Sequence, residues 1–133
     1  MPGCVLRATG DNFQTETFLL GSTLVPCNVF RKGQRKAKDR VWETSGITVV
    51  VSDAQDDLAQ QIRDAIEFLK SNREELSRLR GFDGIEGLEL DFGIYRKNGF
   101  LQCSVFPSEL VALAGDFGMG IDLSMYGDVE GDG

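Results

Sequence analysis

Apolar positions along the chain follow two periods, a period of two that predicts strands and a helical period of three to four. Strand-type runs lie at residues 4–9, 26–30, 47–51, 88–95, 100–105 and 121–126. The run at 47–51 is β-branched throughout and follows the turn pair Ser45-Gly46, so it is the clearest of these strands. Pro26 places the second run at a strand start or a sheet edge.

The main predicted helix follows the third strand, and Ser52 and Asp53 are expected to cap it. Its apolar stripe consists of Leu58, Ile62, Ala65, Ile66, Leu69, Leu76 and Leu79. Ser71-Asn72 interrupts this stripe, which predicts a kink or a break into two helices.

Two shorter helices are expected, one capped by Asp11 or Asn12 and ending at Gly21, the other running from Pro107 to about Gly118. The predicted order is β-α-β-β-α-β-β-α-β, without the regular alternation of a doubly wound sheet. We therefore expect one two-layer α+β domain over residues 1–126, with a mostly antiparallel sheet and helices on one face. Residues 127–133 form an acidic, glycine-rich tail that we expect to be flexible.

A hairpin is predicted at Asn98-Gly99, because this pair favours a type I′ turn between two alternating runs. In that register Phe92 pairs with Val105, and the apolar residues of both strands share one face. The opposite, polar face of the sheet then carries Glu89, Asp91, Tyr95, Gln102, Ser104, Asp122, Ser124 and Tyr126.

This polar face is the first candidate binding surface, with the contacts assigned to Glu89, Asp91, Tyr95, Gln102, Asp122 and Tyr126. Its carboxylates and tyrosines suit a basic protein partner. Paired carboxylates also serve in glycoside hydrolysis and in magnesium sites, which keeps a carboxylate-based or metal-assisted enzyme as an alternative. An antiparallel sheet with one solvated face is polar on that face without any function.

Charge is strongly segregated along the chain. The formal net charge is −7, yet residues 31–40 hold six of the fourteen basic residues and one acidic residue, a local charge of +5. The remainder of the chain carries −12. An anion or nucleic-acid site in this segment would use Arg31, Lys32, Arg35, Lys36, Lys38 and Arg40. Because the acidic remainder repels a polyanion, we expect a solvated loop that offsets acidic neighbours, and no nucleic-acid partner.

The chain contains no histidine, which excludes hydrolases with a histidine base and sites with histidine-bound zinc. The glycine-rich run at 115–120 follows the last predicted helix instead of preceding one, so it is no phosphate loop. The sequence thus predicts no catalytic residue, no metal and no cofactor. Cys4, Cys27 and Cys103 are too widely spaced for a redox or metal motif and are expected to be buried thiols. With no apolar run of about 18 residues and no secretory signal, we expect a soluble, cytoplasmic protein without membrane contact.

The chain resembles an uncharacterised bacterial domain-of-unknown-function family, number 4279. The resemblance spans nearly the whole chain and rests on Leu20-Gly21, on Arg31-Lys32-Gly33, on Ser45-Gly46 and on the long helix that follows. A leucine-rich last helix leading to a strand that ends in Tyr126 completes it. The resemblance implies a fold and carries no catalytic residues. Taken with the acidic composition, these features favour a non-enzymatic protein-interaction domain, of which an immunity-like role is the most concrete form.

Overall fold

The computed structural model describes residues 2–97 and 104–127. Seven strands and four helices lie in these residues. In chain order they are β1 (Cys4–Gly10), α1 (Thr15–Leu20), β2 (Asn28–Phe30), β3 (Arg35–Ala37), β4 (Arg40–Val41), β5 (Ser45–Ser52), α2 (Leu58–Ser71), α3 (Arg73–Arg80), β6 (Gly87–Tyr95), α4 (Ser108–Asp116) and β7 (Gly120–Tyr126).

Five of the strands form one mixed sheet in the order β2-β5-β1-β6-β7, and β3 and β4 form a separate two-stranded ribbon. Neighbours in the large sheet are antiparallel except β6 and β7, which run parallel. A parallel pair needs a crossover connection, and α4 lies within it. The expected α+β class with a mostly antiparallel sheet is therefore confirmed.

The hydrophobic core lies against one face of this sheet. Alternate residues of β1 are buried, and the register sets Leu6 beside Val49 of β5 and Leu90 of β6. The helices contribute Ile62, Ala65, Leu69, Leu76, Leu79, Leu110, Leu113 and Ala114 to the same cluster. Phe92, fully buried, stacks in a tilted arrangement with Phe106 at 5.2 Å between ring centroids. This core fixes β6, and the opposite side chains of β6 face outward.

The predicted pairing of Phe92 with Val105 is wrong. Both edges of β6 are occupied, since Phe92 lies opposite Cys4 of β1 and Leu123 of β7. Val105 lies outside any strand and is largely exposed. The turn at Asn98-Gly99 and the strand residues up to 103 fall outside the described residues. The hairpin signal is local, whereas the two pairings that Phe92 makes instead are with strands distant in sequence.

The elements also differ from the prediction in the basic segment and at the start of the main helix. The segment at 31–40, expected to be a loop, contains β3 and the start of β4. The main helix begins at Leu58, later than expected, because Asp57 caps it by accepting the Gln60 N–H at 3.1 Å. Ser52 instead donates its hydroxyl to Asp64 at 2.6 Å. The predicted break in the helix falls at Asn72, between α2 and α3.

The cysteines divide between core and surface. Cys4 is buried, and burial, with the nearby charges of Asp91 and Asp64, raises the pKa of its thiol to about 12. The expectation of buried thiols is wrong for Cys27, which is exposed, and Cys103 lies outside the described residues. Among the described helices, none is long and apolar enough to cross a membrane.

Candidate functional site

The parallel pairing of β6 with β7 brings together five of the six predicted binding residues. Asp91 lies opposite Asp122, and Tyr95 lies opposite Tyr126. Period-two alternation turns these side chains away from the core. We call this surface the acidic face, and it consists of Glu89, Asp91, Tyr95, Asp122 and Tyr126. The sixth residue, Gln102, lies outside the described residues.

Asp91 is the anchored member of the acidic face. One carboxylate oxygen is 2.8 Å from Arg7 Nη2, and the other accepts the Ser124 hydroxyl at 2.7 Å. Only 7% of the residue is exposed, so the expectation of a solvated position is wrong for Asp91. The cause is its central place between β1 and β7, where a buried carboxylate needs a paired charge and hydrogen bonds. Asp91 thus orients Arg7 and Ser124 and presents little charge outward.

Glu89 and Asp122 carry the outward charge, and both are exposed. The hydrogen bond with Asp122 raises the pKa of the Glu89 carboxyl above its ordinary value. Desolvation and repulsion by Asp122 add to this rise, and the Arg7 guanidinium counteracts part of it. Two carboxyl groups in contact resist ionising together, so the pair holds a proton more readily than a lone glutamate. A cation placed beside them would relieve that repulsion.

Two tyrosines close one end of the acidic face. The rings of Tyr95 and Tyr126 meet edge to face at 6.5 Å between centroids. Gly93 of β6 lies close to its neighbours: a Cβ atom there would come within 3.1 Å of Tyr126 Cε2 and 2.9 Å of Pro2 Cα. The glycine lets the Tyr126 ring lie against β6. The face of an aromatic ring attracts a cation. Tyr95 already has one near it, since Lys97 Nζ lies 6.0 Å from its ring centroid.

The described residues contain no group of three or more acidic or cysteine side chains arranged to hold a metal ion. Four surface depressions, of about 340 to 700 Å³, lie elsewhere, and none of the four is lined by Glu89, Asp91 or Asp122.

The second candidate, the basic segment at 31–40, is partly neutralised by its own surroundings. Arg31 pairs with Glu16, and Lys32 Nζ is 3.7 Å from an oxygen of Asp11. The remaining basic side chains are exposed: Arg35, Lys36, Lys38 and Arg40.

An aromatic stack supports this ribbon. Trp42 lies on Phe30 with 3.9 Å between ring centroids, and Lys36 Nζ stands 4.6 Å from the Trp42 ring centroid. Phe30 in turn sits over Gly46, where a Cβ atom would meet its ring at 2.6 Å. The stack fastens the ribbon to β5 and gives Trp42 a structural role.

No known protein family, curated protein or solved structure matches this chain. What the site does must follow from its own chemistry.

Arg7 is the site residue that the sequence did not indicate. It alternates with Leu6 and Ala8, which places it on the polar side of β1, but its role depends on β1 lying beside β6. That pairing joins strands roughly eighty residues apart, and no local pattern encodes it. Ser124 was expected on the polar face, and its hydrogen bond to Asp91 is what the pairing adds.

Proposed function

We propose that this domain is a non-enzymatic protein-interaction module that binds a basic partner through the acidic face. One observation carries the proposal: Glu89, Asp91 and Asp122 are held side by side, and the Arg7 guanidinium is shared between two of them. Arg7 forms its ion pair with Asp91, and from its place opposite Glu89 it offsets only part of the repulsion between Glu89 and Asp122. The exposed Glu89–Asp122 pair keeps an excess of negative charge on a rigid sheet. A lysine or arginine of a partner would relieve the carboxyl repulsion and gain charge-assisted hydrogen bonds.

The general charge of the chain supports the same partner. Outside residues 31–40 the chain carries −12, which steers a basic protein toward it at long range. An immunity-like role, in which a small acidic domain covers the basic surface of a toxin, is the most concrete form of this proposal. The small size and the acidic charge support the immunity-like role. The acidic face supports the more general proposal of a module that binds a basic protein.

Affinity capture with paired variants tests the proposal. The wild-type domain is expected to retain a stoichiometric basic protein from its native cells, identified by mass spectrometry. The double variant Glu89→Gln with Asp122→Asn should lose that protein. A control with Glu74→Gln and Asp83→Asn removes the same charge from exposed positions elsewhere and should retain it. Equal loss from both variants would refute the acidic face as the binding site.

The raised pKa of Glu89 favours a second candidate function, carboxylate acid–base catalysis, because enzymes often raise the pKa of a general-acid carboxyl by placing it beside another carboxyl. The two functions predict different covalent masses for the captured molecule. A binding partner is recovered with its covalent mass unchanged, whereas a substrate is modified by the wild type and left intact by Glu89→Gln. Intact-mass measurement of the captured molecule decides between them.

A further inference from the structure

β7 is the last strand of the large sheet, and among the described residues no strand pairs with its outer edge. The backbone N–H and C=O groups on such an edge are a template for one more strand. β7 is held firmly on its inner side, since seven consecutive residues keep register with β6 without a shift. Ile121 and Leu123 pack against the core. The edge is therefore a rigid one.

Proline, lysine and a β-bulge, three of the features with which proteins block strand addition, are missing from β7, whose one charged residue is Asp122. The sequence of β7 is Gly-Ile-Asp-Leu-Ser-Met-Tyr. Met125 and Tyr126 are 44% and 39% exposed. A regular edge that none of the strands in residues 2–97 and 104–127 covers, beside a binding face, suits the addition of a strand from a partner.

The side chains along β7 define which strand would fit. Asp122, Ser124 and Tyr126 alternate on the acidic face, and an added strand would set its own alternate residues beside them. Beside Asp122 and Glu89 a lysine or arginine is favoured, and four residues further a second cation meets Tyr126. On the other side of the added strand, residues next to Leu123 and Met125 would be apolar.

We propose that the outer edge of β7 accepts an extended basic segment of the partner as an additional strand. The proposal rests on the proposed function and adds to it the shape and spacing of the ligand: cations at positions i and i+4, with apolar residues at i+1 and i+3. Backbone hydrogen bonds to β7 supply affinity, and the acidic face selects the charge. A second copy of this chain fits poorly, because two domains of net charge −7 would bring their acidic faces together.

The test uses a fluorescent peptide in which two lysines are separated by Val-Ser-Val, and anisotropy is measured against the full chain. We expect saturable binding. N-methylation of the peptide amides that face β7 should weaken binding about tenfold or more, since it removes backbone hydrogen bonds without altering the protein. Asp122→Asn should weaken it about threefold to tenfold, and Glu74→Gln should leave it unchanged.

The outcomes separate this proposal from the proposed function. Binding that Asp122→Asn weakens and N-methylation leaves intact would overturn strand addition and support the acidic face. No peptide binding, with a natural partner that still depends on the acidic face, would also overturn strand addition alone. Binding that N-methylation weakens and Asp122→Asn leaves unchanged would show that the added strand need not be basic, and would overturn that part of the proposal. Dimerisation of the free chain, abolished by changes in β7, would show that a second copy occupies the edge and would overturn the proposal.

Discussion

The side-chain amide of Gln61 takes the place of a neighbouring strand for Gly93. Gly93 N–H donates to Gln61 Oε1 at 3.2 Å, and Gln61 Nε2 donates to the Gly93 carbonyl at 2.9 Å. The pairing of β1 with β6 ends at Cys4 and Phe92, so Gly93 is the next residue without a strand partner there. Gln61 Nε2 also reaches the carbonyls of Pro2 and Ala54. One buried side chain thus joins α2, the chain start and the end of β6 that carries the tyrosines.

Gln61→Leu should destabilise the fold strongly, because the Gly93 N–H, the Gly93 carbonyl and the part-buried Ala54 carbonyl all lose their Gln61 partner. The Pro2 carbonyl keeps its second hydrogen bond, from the Asp56 N–H at 2.9 Å. At about 1–3 kcal/mol for each unsatisfied group, we expect a loss of at least about 3 kcal/mol in the free energy of unfolding. Chemical denaturation measures it. The exposed Gln55→Leu is the control and should change stability by about 0.5 kcal/mol or less. Similar midpoints for both variants would contradict the role of Gln61.

Phe92→Ala tests the one-sided sheet. Phe92 is fully buried between β6 and Phe106, and truncation of such a phenylalanine costs about 3–5 kcal/mol through lost burial and a residual cavity. Glu89→Ala, on the opposite face of the same strand, should change stability by only about 0.5 kcal/mol. Equal losses from the two changes, measured by urea denaturation, would refute the assignment of faces.

Glu89 should make stability fall as pH rises. Below the ordinary pKa of 4.5 this carboxyl is protonated in both the folded and the unfolded chain and has no effect. As pH rises through the higher folded pKa, the folded state must release a proton that the unfolded chain has already lost, so stability decreases. Glu89→Gln keeps a donor toward Asp122 at every pH.

Thermal unfolding of the wild type and of Glu89→Gln across this pH range checks the sign. The variant should be the more stable protein at neutral pH, and the difference should vanish below pH 4.5, the ordinary value. A variant that is less stable than the wild type at neutral pH would contradict this sign. It would show that the attraction of ionised Glu89 to Arg7 is stronger than its repulsion by Asp122.

The basic segment at 31–40 should not bind nucleic acid. Two of its cations are already paired with Glu16 and Asp11, and the rest of the chain repels phosphate. Fluorescence anisotropy with DNA and RNA oligonucleotides at ~0.15 M salt should detect no complex. Micromolar binding that is lost when Arg35, Lys36 and Lys38 are changed to Ser would make this segment the functional site.

How far the sequence predicts this fold depends on the range of the interactions. Local signals place most of the strands and helices, and the break at Asn72 follows from Ser71-Asn72 interrupting the apolar stripe. Helix starts are predicted less well. Asp57 caps α2, and the Ser52 hydroxyl bonds instead to Asp64 inside the helix, a contact between residues twelve apart that the local cap pattern does not encode.

The same limit applies to the acidic face. Period-two alternation correctly orients Glu89, Tyr95 and Asp122, since it is a local property of each strand. It does not indicate that β7 runs beside β6 or that β1 supplies Arg7, because those pairings depend on the whole fold. Asp91 is buried because β1 and β7 both lie beside it, and neither pairing can be read from the local pattern.

Amide hydrogen exchange of the domain, free and bound to its captured partner, tests the central claim most directly. If the acidic face binds a basic partner, the partner should slow exchange in β6 and β7, and the double variant Glu89→Gln with Asp122→Asn should abolish that protection. Protection confined to residues 31–42, with β6 and β7 unchanged, would contradict the account and move the binding site to the basic ribbon.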